Sequence, residues 1–119
     1  MKRPFLLPAL LGFAAVMLGA FGAHALDDRL SERALEVWNT ANRYHFIHVL
    51  AILALGVASK LGLRNTQYST ILWTAGILIF SGGLYTYAVT GLKLGAMLAP
   101  VGGLSFAFGW LALLKVSES

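Results

Sequence analysis

The placement of the few charged side chains constrains this chain more than any motif does. They stand at 2, 3, 27, 28, 29, 32, 33, 36, 43, 60, 64, 93, 115 and 118, leaving uncharged stretches 4–26, 44–59, 65–92 and 94–114. A transmembrane helix needs about 20 mostly apolar residues, and three of the stretches supply them outright. The second, 44–59, is shorter, but Arg43 and Lys60 can lay their stems along lipid and lift their charges to the headgroups. A soluble fold is excluded by the balance of residues. With 119 residues, 58% hydrophobic and 12% charged, too little polar surface exists to clothe so small a domain. The sequence predicts one all-α transmembrane domain, a four-helix bundle with helices at about 5–26, 41–61, 67–91 and 94–115.

Other classes fall away quickly. The formal charge of +4 comes from nine Lys and Arg scattered over the hydrophilic segments. Scattered basic residues at membrane borders are ordinary, and no basic stripe for nucleic acid forms. Cysteine is absent, which removes disulfides, thiolate metal sites and cysteine nucleophiles. No glycine-rich phosphate loop occurs. The N-terminus imitates a secretory signal, with Lys2 and Arg3, an apolar run, and Ala23-His24-Ala25 as a small-x-small site. Its apolar run from Pro4 to Leu26 is longer than such signals use, so it is read as the first spanning helix.

Glycines stripe the spans. Gly12, Ala15, Gly19 and Gly22 share one face of the first, and Gly95, Gly102, Ser105, Gly109 and Ala112 one face of the fourth. Ala51, Ala54 and Ala58 mark the second span, and Gly76 and Gly83 the third. Lipid gives helices no hydrophobic drive to associate, so close backbone approach along small residues supplies much of the packing. The stripes also suggest self-association. Between the first two spans, Ser31 can cap a helix whose apolar side holds Leu30, Ala34, Val37, Trp38 and Ala41. This pattern predicts a short interfacial amphipathic helix over about 31–40. Gly91 is placed to end the third span in a left-handed cap. Pro100 predicts a kink or an irregular first turn in the fourth.

With four spans both termini share a side. That side carries Lys2, Arg3, Lys60, Arg64 and Lys115, against Arg29, Arg33, Arg43 and Lys93 opposite. The basic-residue rule therefore favours both termini in the cytoplasm.

Four sequence blocks resemble a known family. They are Gly19-Ala20-Phe21-Gly22-Ala23-His24-Ala25-Leu26, then Trp38-Asn39-Thr40-Ala41 with Tyr44 and His48, then Phe80-Ser81-Gly82-Gly83-Leu84-Tyr85, and Pro100-Val101-Gly102-Gly103 before Gly109-Trp110. Together they resemble the domain of unknown function 423 family, the YgdD-like small bacterial inner-membrane proteins, with eukaryotic relatives called transmembrane protein 256. The resemblance implies a multi-pass membrane protein of this size and no activity. Gly83 stands where it implies a second serine, Ala99 where it implies a threonine, and His45 where relatives more often carry another polar residue.

The candidate polar cluster is His24, His45, His48, Tyr85 and Asp27, gathered by the four-span arrangement at one membrane face. Polar groups at membrane depth are costly and often functional. One reading has His24 and His48 bonding each other, Tyr85 or freed carbonyls, and fastening helix ends. A second has them hold a metal or haem, although the spacing lacks H-E-x-x-H and any pair must come from two helices. A third has them line a pathway for protons or a small solute. Ser81 and Ser105 lie on glycine-rich faces with no acid at their depth, so neither completes a hydrolytic triad. The leading expectation is a non-enzymatic accessory, assembly or lipid-interacting component with no catalytic residues, metal or cofactor. It would meet the bilayer, a further copy of itself or another membrane protein, and no nucleic acid. Gly12, Gly19, Gly22, Gly102 and Gly109 would be its packing residues. A ligand-binding protein built on His24 and His48 is the alternative.

Overall fold

The computed structural model describes residues 3–118. Helix α1 spans Leu6–His24, α2 Glu32–Lys60 and α3 Gln67–Gly76. A π-helical turn, Ile77–Ser81, joins α3 to α4, Gly82–Thr90, so these three pieces make one span. Helix α5, Lys93–Leu111, ends in a 3-10 turn at Ala112–Lys115. Four helices are therefore long and apolar enough to cross a membrane. Among the described residues the only β pairing is a single bridge, Arg64 with Ser117.

The expected interfacial helix is not a separate element. Residues 31–40 form the cap and first turns of α2, which runs unbroken for 29 residues. Two causes are visible. No Gly or Pro interrupts the sequence between Glu32 and Leu55, so nothing stops the helix. The apolar side assigned to the interface is also taken by protein: Trp38 and Ala41 are buried with Leu26, Tyr85 and Ala88. Ser31 caps the helix as the sequence implies, its Oγ accepting from the Ala34 N–H at 3.0 Å. Helix α2 is about 44 Å long at 1.5 Å per residue, against a hydrocarbon core of about 30 Å, so its first turns stand clear of the hydrocarbon.

The helices pack as two antiparallel pairs, and α2 joins them by lying against the third span. Helix α1 lies along α2, and α5 lies along the α3–α4 span. In the second pair, small residues alternate with large ones. Gly109 receives the Trp73 ring, Gly76 the Phe106 ring, and Gly102 the backbone of Phe80. At Gly83 and Gly95 two backbones touch, and a Cβ on Gly83 would lie 2.6 Å from the Gly95 carbonyl oxygen. This explains why a serine does not stand at 83. Two serines tie the same pair reciprocally, Ser69 Oγ to the Gly109 carbonyl at 2.7 Å and Ser105 Oγ to the Leu72 carbonyl at 2.6 Å.

The glycine stripes expected to leave surface for self-association are consumed within the chain. Gly12 meets Val49, Gly19 meets Asn42 and Gly22 meets Trp38. The irregular first turn expected beside Pro100 is not seen. Helix α5 begins regularly at Lys93 and stays α-helical through Pro100, and Gly102 serves contact with Phe80. Neighbouring helices let membrane spans tolerate the missing N–H. Gly91 ends α4 in the left-handed conformation, φ 73°, as its position implied.

The connection 61–66 and the C-terminal end meet at one end of the bundle. Arg64 and Ser117 exchange backbone bonds of 2.8 and 3.2 Å, and Asn65 Nδ2 donates to the Lys115 carbonyl. Lys60 lies over the Phe5 ring at this same end.

Glycine contact predicts a graded effect of adding one methyl. Gly83→Ala and Gly95→Ala should each lower stability by about 1–3 kcal/mol. Gly82→Ala and Gly103→Ala, whose new Cβ would find its nearest neighbour 3.9 Å away, should leave thermal melting in detergent unchanged. Equal losses at all four positions would contradict this packing.

Candidate functional site

The two buried histidines and their partners form a polar layer across the middle of the bundle, between two apolar clusters. On one side lie Val49, Ile52, Leu55, Trp73, Ile77 and Phe106, and on the other Leu26, Trp38, Ala41, Tyr85 and Ala88. Between Ala41 and Val49, α2 contributes His45 and His48, each only 3% exposed. Both stand mid-helix, because α2 begins nine residues before the expected start.

His45 belongs to a directed chain of hydrogen bonds. Its Nε2 lies 3.0 Å from the Leu11 carbonyl, which can only accept, so Nε2 carries the proton. Its Nδ1 then accepts from the Tyr85 hydroxyl at 3.0 Å. That hydroxyl accepts from Asn42 Nδ2 at 3.0 Å, and the same amide nitrogen donates to the Ala15 carbonyl at 2.9 Å. One turn further, Trp38 Nε1 donates to the Leu18 carbonyl at 3.0 Å. Helix α2 thus sets Trp38, Asn42 and His45 against the carbonyls of Leu18, Ala15 and Leu11 in α1. Each carbonyl has a second lone pair beyond the one used along its own helix, and the glycines of α1 bring it within reach. Tyr85 carries the chain into α4, where its ring also packs on Trp38 with centroids 4.6 Å apart.

His48 is fixed separately and in the opposite tautomer. Its Nδ1 donates to the Tyr44 carbonyl one turn back at 2.8 Å, leaving Nε2 to accept from Trp110 Nε1 at 3.0 Å. Its ring stacks on Phe106 with centroids 3.7 Å apart and planes within 11°. Tyr44 and Phe80 extend the aromatic packing. At the π-helical turn, Ser81 Oγ donates to the Ala41 carbonyl of α2 at 2.8 Å. The threonines along the third span close on their own helix: Thr70, Thr74, Thr86 and Thr90 each donate to the carbonyl four residues back.

The cluster anticipated from sequence is therefore only partly assembled. His45 meets Tyr85, while His48 binds Trp110 and lies on another face of α2. His24 and Asp27 are exposed beyond the layer. His24 stands 13 residues beyond Leu11 on α1, about 20 Å from the His45 contact by helical rise. Among the described residues no group of three or more His, Asp or Glu side chains could hold a metal. Asn42, Trp38 and Trp110 are the partners that sequence reasoning missed. The signal for two of them was present: Trp38, Asn42 and His45 step by four and three along one helical face, and Gly22, Gly19 and Ala15 by three and four along the face opposite.

What the arrangement does chemically is occupy its own donors and acceptors. Both nitrogens of each buried histidine are bonded within the protein. Among the described residues one buried side-chain donor is left over, Trp73 Nε1, seated flat against Gly109.

Comparison with known proteins agrees with this architecture. Residues 18–103 match the model of a family described as "Protein of unknown function (DUF423)". A UPF0382 membrane protein of Staphylococcus aureus (strain bovine RF122 / ET3-1) is 40% identical, covering 96% of this chain and 93% of its own length. The UPF0382 membrane protein YwdK of Bacillus subtilis (strain 168) is 36% identical over 96% of this chain and 94% of its own. The UPF0382 inner membrane protein YgdD of Escherichia coli (strain K12) is 40% identical over 89% and 82%. No solved structure matches.

The hydrogen-bond chain predicts non-additive losses. Tyr85→Phe removes the hydroxyl that joins Asn42 to His45 and should cost about 1–2 kcal/mol. Asn42→Ala should cost a similar amount, and the double variant clearly less than the sum, measured by unfolding in mixed micelles. Full additivity would show that the three side chains do not act as one chain.

Proposed function

We propose, from the premise that this chain belongs to the DUF423 (UPF0382) family of small multi-pass membrane proteins, that it is a non-enzymatic accessory component of the inner membrane. Its work is contact, through outward helix faces held by a rigid interior. The observation that carries this reading is the complete use of the buried imidazoles. His45 and His48 each spend both nitrogens on protein partners, so neither has a lone pair free for a metal, haem or passing proton. A proton leaving His45 Nε2 would meet the Leu11 carbonyl, which cannot relay it. The interior therefore serves as glue between helices.

The outer faces fit the contact role. Helix α1 touches the bundle along one face through α2 and exposes Leu10, Phe13, Val16, Met17 and Phe21 on the others. A peripheral helix with large apolar residues outward is the surface on which a lipid or a membrane partner lies. A second copy remains a candidate partner for it through these large residues, since the glycines face inward. Both termini lie in the cytoplasm in this reading, from the excess of basic residues at that end.

Two measurements test it. Protein purified in mild detergent should be colourless and metal-free, and His48→Ala should lower its melting temperature without releasing a ligand. A Soret band, or stoichiometric metal lost in His48→Ala, would overturn the accessory role. A reporter fused after Ser119 should give a cytoplasmic signal, and a periplasmic one would refute the orientation.

A further inference from the structure

A groove of about 480 Å³ opens on α2 away from the polar layer, lined by Arg33, Glu36, Asn39, Thr40 and Arg43 with Leu84 of α4 at its side. Positions 33, 36, 40 and 43 step by three and four, so one helical face presents them in a column. The column crosses the membrane border. Arg43 is the last charge before the uncharged stretch 44–59, and its long side chain can lift the guanidinium toward the lipid phosphates. Glu36 and Arg33 stand about two and three turns higher, toward water.

Charge is unevenly cancelled in the column. Arg33 and Glu36 pair at 3.6 Å, and this is the only ion pair among the described residues. Arg43 has no acidic partner there, so the lower part of the groove carries an uncompensated positive charge beside the Thr40 hydroxyl and the Asn39 amide. Directly below Arg43 on the same face, Ile47, Leu50 and Val57 follow at helical spacing. They are 45%, 62% and 43% exposed. A cation within reach of lipid phosphates, neutral hydrogen-bonding groups beside it and an apolar track beneath together match one class of molecule.

We propose that this groove binds an anionic glycerophospholipid, its phosphodiester on Arg43 with Thr40 and Asn39, and an acyl chain along Ile47, Leu50 and Val57. Planar guanidinium forks suit phosphate oxygens, and the groove's net positive charge selects anionic over zwitterionic headgroups. The proposal rests on the membrane placement of the chain and not on the accessory role. A haem or metal found on purification would end that role and leave this site to be tested as before.

The test uses the full chain in phosphatidylcholine nanodiscs into which phosphatidylglycerol is titrated, read by native mass spectrometry after gentle release and by melting temperature. The expected result is retained phosphatidylglycerol and a melting temperature that rises with its fraction. Arg43→Gln should weaken that retention about 5-fold or more, while Arg43→Lys keeps much of it. Arg33→Gln, altering the rim, should have a smaller effect. Equal retention of phosphatidylcholine, or undiminished preference in a folded Arg43→Gln, would overturn the proposal. Equal protection by inorganic phosphate in phosphatidylcholine discs would overturn it too, marking a free-anion site. Should Arg43→Gln fail to fold, Thr40→Val with Asn39→Ala decides, with weakened retention supporting the site and unchanged retention refuting it.

Discussion

The structure depends on side-chain donors of α2 reaching backbone carbonyls of α1. Trp38, Asn42 and His45 bond the carbonyls of Leu18, Ala15 and Leu11, and this is possible only where two helices approach to backbone contact. A Cβ on Gly19 would lie 2.9 Å from Asn42 Oδ1. The same glycines that bring the helices together thus admit the polar side chains that hold them. In lipid each such bond is worth about 0.6 kcal/mol on average. Its larger consequence is geometric, since a directed donor on a fixed carbonyl sets the register of α1 on α2 in a way that apolar packing does not.

From that register the rest follows. Tyr85 passes the constraint to α4, and Ser81 adds a second tie from the third span to α2. The α3–α4 span and α5 then interlock ring into glycine, with Trp73 on Gly109 and Phe106 on Gly76. His48 joins the two halves through Trp110 and Phe106. Apart from the Trp73 indole N–H, the polar groups of the interior are spent on holding the bundle, and the charged groups without partners lie outside. Arg43, at the membrane border and without an acidic partner among the described residues, is the clearest of these.

Much of the fold was legible because lipid imposes simple demands. Charge spacing located all four spans, the glycines located the contact faces of the first, third and fourth, and Ser31 and Gly91 marked two helix ends. Ala51, Ala54 and Ala58 did not mark the face of the second, where Ala54 is exposed. What stayed hidden depends on which partner a face finds. Residues 31–40 carry the amphipathic pattern of an interfacial helix, and that pattern does not distinguish lipid from protein as the apolar neighbour. The structure supplies protein, so α2 continues upright. His24 and His48 looked close because both stood near presumed span ends, and lengthening α2 moved His45 and His48 to its middle. The π-helical turn at Ile77–Ser81 has no local sequence signature that separates it from ordinary helix. At its end Ser81 bonds the Ala41 carbonyl of α2, a contact that only the tertiary fold supplies.

The buried imidazoles are fully committed to protein partners, and their tautomers report this directly. Solid-state NMR of protein labelled with ¹⁵N-histidine in lipid bilayers should resolve two neutral imidazoles in opposite forms, His45 protonated on Nε2 and His48 on Nδ1, each assigned by substitution. Both forms should persist without exchange when water-soluble divalent metal is added. Identical tautomers, or a nitrogen resonance that shifts on binding metal, would contradict the closed interior on which the structure is argued to depend.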